Sequence, residues 1–189
     1  MLYELIQKNR SYRRFYQQER ISRETMTRLV DYGRLSASGA NKQAIKYYIS
    51  YEEETNAKVF PALLWAAYLS DWDGPVEGER PSGYMVMVQE TEYKMASGID
   101  HGIAAQSILL GAVEMGLGGC MFGNIREPML RSALNIPEHQ QILLVIALGK
   151  PKEIVVIDEI DPAGDIKYWR DSQQVHHVPK RKLKDIIMN

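Results

Sequence analysis

Three short segments carry residue types suited to holding a charged or planar ligand. The first is Arg10-Ser11-Tyr12-Arg13-Arg14, which places three guanidiniums and a hydroxyl within five residues. A guanidinium can contact a phosphate in bidentate fashion, and serine adds a neutral donor. The same run also reads as a solvated basic turn. The second is Ser36-Ala37-Ser38-Gly39-Ala40-Asn41-Lys42-Gln43. Asn41 and Gln43 each present a donor and an acceptor, a match for a ring edge that shows C=O and N–H together. The alternative is a Ser/Asn-rich turn. The third is Gly116-Leu117-Gly118-Gly119-Cys120-Met121-Phe122-Gly123. Its paired glycines would let backbone N–H groups approach a planar ligand, or would simply end a helix and turn the chain.

Other chemistries lack their parts. Gly116, Gly118 and Gly119 come near a dinucleotide fingerprint, but Met121 stands where its last glycine is needed, and they follow a helix instead of a strand. Gly118 to Gly123 has phosphate-loop spacing, yet Asn124 and Ile125 replace the lysine and the hydroxyl. The four histidines, His101, His139, His176 and His177, do not form a zinc-binding pair. No Gly-x-Ser-x-Gly elbow is present, and Cys120 lies in an apolar stretch that suits a buried structural thiol. No side chain stands out as nucleophile, general base or metal ligand, which points to a bound cofactor carrying the reaction.

The elements that would position these segments can be read from periodicity and caps. Leu2 to Lys8 reads as a short helix. Ser22 caps a second, with Glu24 in its first turn, an Ile21–Met26 staple, and an end near Arg34. Ile45 to Tyr51 alternates as a strand, and Asn56 to Leu69 reads as a helix that tolerates Pro61 in its first turn. Asp71 to Gly83 is a proline- and glycine-bearing loop, followed by a strand at Tyr84 to Val88. Asp100 to Met115 is apolar nearly all round, as a helix covered on most sides would be. Gln141 to Leu148 and Ile154 to Ile157 read as strands, and from Asp158 the chain turns polar.

The balance of 23 basic against 24 acidic residues in 189 gives a net charge of −1, so nothing draws the whole molecule to nucleic acid or an anionic membrane. The longest mostly apolar run, Val59 to Leu69, is too short to span a bilayer. A single cysteine excludes an internal disulfide framework, and the N-terminal residues lack a signal-peptide core. A cytoplasmic protein is expected. Few strands and long helices favour an α+β fold over a regular doubly wound sheet.

In order along the chain, these segments resemble the FMN-dependent nitroreductase family. The matching residues are Arg10 to Phe15, Ser38 to Gln43, the helix from Asp100 with its glycine end at Gly119, Ala147-Leu148-Gly149-Lys150-Pro151, and the basic tail around Lys180 and Arg181. Asn9 stands where many relatives have a further arginine. Ala37 and Ala44-Ile45 replace a usual proline and Pro-Trp.

The resemblance implies a three-layer α/β/α fold with a central, mostly antiparallel sheet. It also implies one domain over 1–189, whose residues 158–189 form an arm reaching a dimer partner. Arg10, Ser11 and Arg13 would hold the FMN phosphate and ribityl chain, and Lys180 and Arg181 would close on the phosphate. Ser38, Asn41 and Gln43 would face the flavin and its ribityl end. Gly118 and Gly119 would offer backbone contacts near the ring. The implied activity passes hydride from NAD(P)H through FMN to a nitroaromatic or quinone acceptor by a ping-pong mechanism, with no catalytic side chain and no metal. The alternatives are other chemistry on the same fold (dehalogenation or flavin breakdown), a non-catalytic flavin-binding sensor, and a cofactor-free interaction module. The nearly all-apolar helix, with Gly102, Ala104, Ala105, Gly111 and Ala112 permitting close approach, suggests a homodimer interface. The 71–83 loop, with Trp72, is expected to line the acceptor entrance.

Overall fold

The computed structural model describes residues 1–90, 92 and 98–188. The first two helices form as the sequence predicts: α1 at Leu2–Lys8 and α2 at Arg23–Arg34, where Ser22 Oγ accepts from the Thr25 N–H at 3.1 Å. Strand β1 (Ile45–Ser50) follows, then α3 (Glu53–Val59), β2 (Gly83–Glu90), α4 (Asp100–Glu114) and β3 (Gly118–Phe122). The chain continues through α5 (Glu127–Leu134), β4 (Gln140–Gly149), β5 (Val155–Ile160), β6 (Trp169–Arg170) and β7 (His176–Arg181).

The main sheet has strand order β1-β2-β4-β3, with every neighbouring pair antiparallel. Its central strands explain why their sequences read as unbroken apolar runs. Met85 and Met87 of β2, with Ile146 and Leu148 of β4, face one core with Met26 and Leu29 of α2 and Ala105 and Ile108 of α4. The residues of opposite parity, Tyr84, Val86, Val145 and Ala147, face a second core with Val59 and Leu130 from α3 and α5. Both faces are covered, so alternation of polar and apolar residues disappears. Each large aliphatic side chain in these layers contributes about 1.5–3 kcal/mol on burial. The result is the three-layer α/β/α arrangement with a mostly antiparallel sheet.

Several expectations are corrected. The helix expected over Asn56 to Leu69 instead begins at Glu53, with Glu53 and Glu54 in its first turn where the helix dipole favours acids. It gives way to a 3-10 turn at Phe60–Ala62 holding Pro61. Leu63 then extends to bridge Ile125, and the Ala62 carbonyl accepts from the Arg126 N–H. Tertiary pairing thus ends the helix where periodicity would have continued it. Helix α5 has no counterpart in the sequence reading; Asn135, at φ +53°, closes it in the left-handed conformation. The third glycine segment is not a bare turn. Gly116, at φ +74°, turns the chain out of α4, and Gly118 onward is strand.

The small residues of α4 face inward. Ala104, Ala105, Gly111 and Ala112 are buried within the chain, and a Cβ on Gly111 would lie 2.4 Å from the Tyr32 ring. They let α2 approach α4. The outward face of α4 carries Gly102, Ile103 and Gln106, next to the exposed Leu2, Tyr3 and Ile6 of α1. From Val155 the chain forms a second, three-stranded sheet of order β5-β7-β6, with β5 and β7 parallel. Asn189, the end of the predicted arm, lies outside the described residues.

Candidate functional site

The N-terminal motif lies across the free edge of the main sheet. β3 is an edge strand, and Ser11 forms a parallel bridge to Gly119, with the Tyr12 N–H donating to the Gly119 carbonyl at 3.0 Å. By the alternation of a strand, Met121 turns its own backbone groups toward the same edge. The glycines are needed here for packing. A Cβ on Gly118 would lie 2.5 Å from the Tyr12 ring, and one on Gly119 would lie 2.5 Å from the Ala147 carbonyl oxygen. Gly118 and Gly119 therefore seat the motif, and the space above them belongs to the chain itself.

The motif's arginines have different fates. Arg10 donates to the Ile6 carbonyl at 2.7 Å, and its buried Nε has no partner. Ser11 is exposed. Arg13 is only 8% exposed; its guanidinium donates to the Ser11 carbonyl at 3.3 Å, meets His176 Nε2 at 3.2 Å and lies 4.6 Å from the Tyr168 ring centre. Arg14 pairs with Glu79 at 2.5 Å. Arg13 thus acts as a bracket between the motif and the second sheet.

The acidic centre of that junction is Glu153, which no local spacing marked. Its side chain accepts from the Arg13 and Arg14 N–H groups and pairs with Arg170 at 3.0 Å. Burial and the neighbouring Arg13 and Arg170 hold His176 down at about 4, so it is neutral and accepts from Arg13.

Ser38, Asn41 and Gln43 gather at the start of α4. Ser38 Oγ donates to Asp100 Oδ2 at 2.9 Å, Gly39 N–H reaches the same oxygen at 3.0 Å, and Gln43 N–H donates to Ser38 Oγ at 3.1 Å. Ala40, Asn41 and Gln43 all have φ near +50° (49°, 52° and 49°), a costly conformation for side-chain-bearing residues that concentrates at ligand clamps. Ser38, Asn41 and Gln43 border a cavity of about 440 Å³, also lined by Ser36, Tyr47 and Asp100. That volume is in the range of small-molecule sites. Burial raises the Tyr47 phenol to about 12, so it stays protonated.

Helix α4 joins the two groups. Asp100 holds the 38–43 loop, while Gln106 accepts from Asn9 Nδ2 at 3.4 Å. Six residues of helix separate them by about 9 Å along the axis. Lys180 and Arg181 are not drawn into either group. Lys180 lies four residues along β7 from His176, about 13 Å at the rise of a strand, and Arg181 donates to the Pro162 carbonyl.

The sequence placed Trp72 in the 71–83 loop but not its packing partners on the other face. Trp65 meets the Phe122 ring at 4.7 Å and the Trp72 ring at 6.0 Å, beside a cavity of about 370 Å³ that Arg126 and Leu69 also line. Trp72 lies 4.2 Å beneath the Arg170 guanidinium.

Residues 6–81 and 82–150 match the nitroreductase family, described as such. The chain belongs to that family. Like other nitroreductases, it shares sequence with flavin enzymes. It is 36% identical over 93 residues to an NADPH-flavin oxidoreductase of Vibrio harveyi, a stretch covering 48% of this chain and 39% of that one. It is 36% identical over 70 residues to an FMN reductase (NADPH) of Bacillus subtilis, covering 36% of this chain and 28% of the other. The chain thus spans well under half the length of the curated relatives it matches. A nitroreductase family protein from Clostridium novyi superposes with a TM-score of 0.67 at 25% identity, over 80% of this chain and 86% of that one. No helix among the described residues is long and apolar enough to cross a membrane.

Proposed function

We propose that this nitroreductase is a homodimeric, cytoplasmic, FMN-dependent oxidoreductase. It passes hydride from NAD(P)H to an electron-poor acceptor of nitroaromatic or quinone type. The observation that carries this reading is the placement of two donor-bearing segments on either flank of one exposed face of α4. Asn9, just before the 10–11 segment, donates to Gln106, and the 38–43 loop hangs from Asp100. Between them lies an outward face carrying Ile103, with the exposed Leu2, Tyr3 and Ile6 alongside. A two-fold partner covering that face would set one chain's 38–43 loop toward the other's Arg10 and Ser11.

The residues present fit FMN. Arg10 has a buried Nε without a partner, Ser11 is exposed beside it, and the left-handed 38–43 loop opens onto a cavity of suitable size. Arg10 and Ser11 would hold the phosphate, and Arg13 would fix Ser11 through its carbonyl. Gly118 and Gly119 would seat the motif. Ser38, Asn41 and Gln43 would take the polar edge of the ring and the ribityl hydroxyls. Lys180 and Arg181 would close on the phosphate from an arm, residues 158–189, that reaches the partner. FMN would supply reversible two-electron chemistry, so no protein acid or base is obligatory. NAD(P)H and acceptor use the same opening in turn, which makes the kinetics ping-pong. The 71–83 loop lies on the other face, with Trp72 under Arg170, so it would shape the acceptor's approach from that side.

The test is the visible absorption spectrum of the purified chain with FMN, together with NAD(P)H consumption driven by a quinone. Arg10→Glu removes a charge-assisted contact and adds repulsion, so it should weaken flavin retention about tenfold or more. A chain that stays colourless after FMN is added, or that sediments as a monomer while holding FMN, overturns the reading.

A further inference from the structure

A third, smaller polar chamber lies between α3, the start of β2 and the segment before it. It measures about 80 Å³, room for roughly two or three waters or one small ion. Its walls are fixed by hydrogen bonds. Asn56 donates to the Ser82 carbonyl at 2.9 Å and accepts from Ser50 Oγ at 2.7 Å, and Ser82 N–H donates to the Leu148 carbonyl at 3.0 Å. Ser82 is 1% exposed, and with both backbone groups engaged its hydroxyl has no partner.

Arg80 lines the same chamber. Its backbone N–H donates to Gln17 Oε1 at 3.2 Å, and its guanidinium lies 4.3 Å from the Phe60 ring centre. Its buried Nε has no partner, and among the described residues no carboxylate comes within ion-pairing distance of it. Gln17 Oε1 also accepts from Gly78 N–H at 2.7 Å, which leaves the amide NH2 as a further donor. The other charged wall residues are Arg20 and Glu53, tied to each other at 2.5 Å, and Glu77, which is exposed. Tyr84 is 1% exposed, and burial raises its phenol well above the ordinary value, so it remains neutral.

Two buried donors, Arg80 Nε–H and Ser82 Oγ–H, are therefore left without acceptors beside a partly buried cation. Burying a charge or a hydroxyl without a partner is costly, and water cannot supply the missing negative charge. We propose that this chamber binds one small monovalent anion, a halide or a planar oxyanion such as nitrate or formate, held by Arg80 Nε–H and Ser82 Oγ–H. The site is separate from the flavin reading and does not depend on it. An anion here ties the segment before β2 to α3, and stabilises the folded chain by mass action.

The experiment is thermal unfolding of the full chain, carrying whatever flavin it retains, at constant sodium concentration. Chloride, nitrate or formate is exchanged for the bulkier gluconate. The expected result is a saturable rise in Tm for the small anions. Arg80→Gln should raise the half-saturating concentration about tenfold or more, since it removes a charge-assisted contact. Ser82→Ala should raise it less, and Glu77→Gln should lower it by removing a nearby negative charge. A non-saturating trend, equal in the parent protein and in Arg80→Gln, means the chamber holds only water and overturns the proposal. Should Arg80→Gln fail to fold, bromide-soaked crystals of the unmutated protein decide the matter. An anomalous peak against Arg80 and Ser82 supports the site, and its absence sinks it.

Discussion

Glu153→Gln keeps the shape of the side chain and removes its charge, in a place where solvent cannot compensate. The Glu153 side chain is 0% exposed and that of its partner Arg170 is 9% exposed, with 3.0 Å between them. The pair itself adds little net stability, because burial is the largest influence on Arg170 and lowers its pKa, with Arg14 and Arg13 adding to that against the pull of Glu153. Breaking the pair is different, since it strands a guanidinium next to that of Arg13. Loss of one partner of a buried ion pair costs about 3–5 kcal/mol, which for a chain of this length lowers Tm by roughly 6–20 °C. The strain should appear first where Glu153 joins the second sheet to the N-terminal motif. Protease cleavage between β5 and β7 should then precede global unfolding. Urea unfolding of Glu153→Gln, Arg170→Met and the double variant gives the coupling directly. The double variant should recover part of the loss, because the Arg170 charge leaves with its partner while the buried Arg13 guanidinium stays. A Glu153→Gln protein within 1 kcal/mol of the parent, with no coupling to Arg170, would refute the reasoning.

Two pH effects fall in separate windows. His176 is held at about 4 in the folded chain against an ordinary 6.5, so the unfolded chain binds its proton first. Stability from this group is complete above pH 6.5 and declines as pH falls toward 4; His176→Gln should flatten that stretch of a Tm–pH profile. Glu79 is held at about 2 against 4.5, chiefly by its hydrogen bond from Arg14, with Lys152 adding to it. Its contribution is complete above pH 4.5 and is lost as pH falls to about 2, so Glu79→Gln should flatten the acid limb there. Gly119→Ala puts a Cβ 2.5 Å from the Ala147 carbonyl oxygen, which should cost about 1–3 kcal/mol. The same change should loosen the Ser11 bridge and lower flavin retention, measured by absorbance after gel filtration; unchanged retention would separate the glycine from the site.

Much of the fold was legible because local chemistry and tertiary burial agree there. Ser22 announced α2 through its cap, and the apolar runs of β2 and β4 announced a sheet covered on both faces. The family resemblance rested on five segments in order along the chain: Arg10 to Phe15, Ser38 to Gln43, Asp100 to Gly119, Ala147 to Pro151, and the tail around Lys180 and Arg181. Where local signals conflicted with long-range pairing, the sequence could not arbitrate. Leu63 leaves its helical pattern because Ile125, 62 residues later, offers a strand partner. The small residues of α4 look alike for a neighbouring helix or a partner chain, and only the position of Tyr32 shows which contact Gly111 permits.

The arginines show the same division most clearly. Sequence alone determined that guanidiniums cluster at 10–14, since composition and spacing are local facts. Only the tertiary structure decided that Arg10 keeps a free buried Nε while Arg13 is bracketed by His176 and Tyr168 and Arg14 is paired with Glu79. Those partners lie 65 to 163 residues away. A buried charge takes its role from whatever folding places within a few ångströms of it, and no spacing along the chain carries that information.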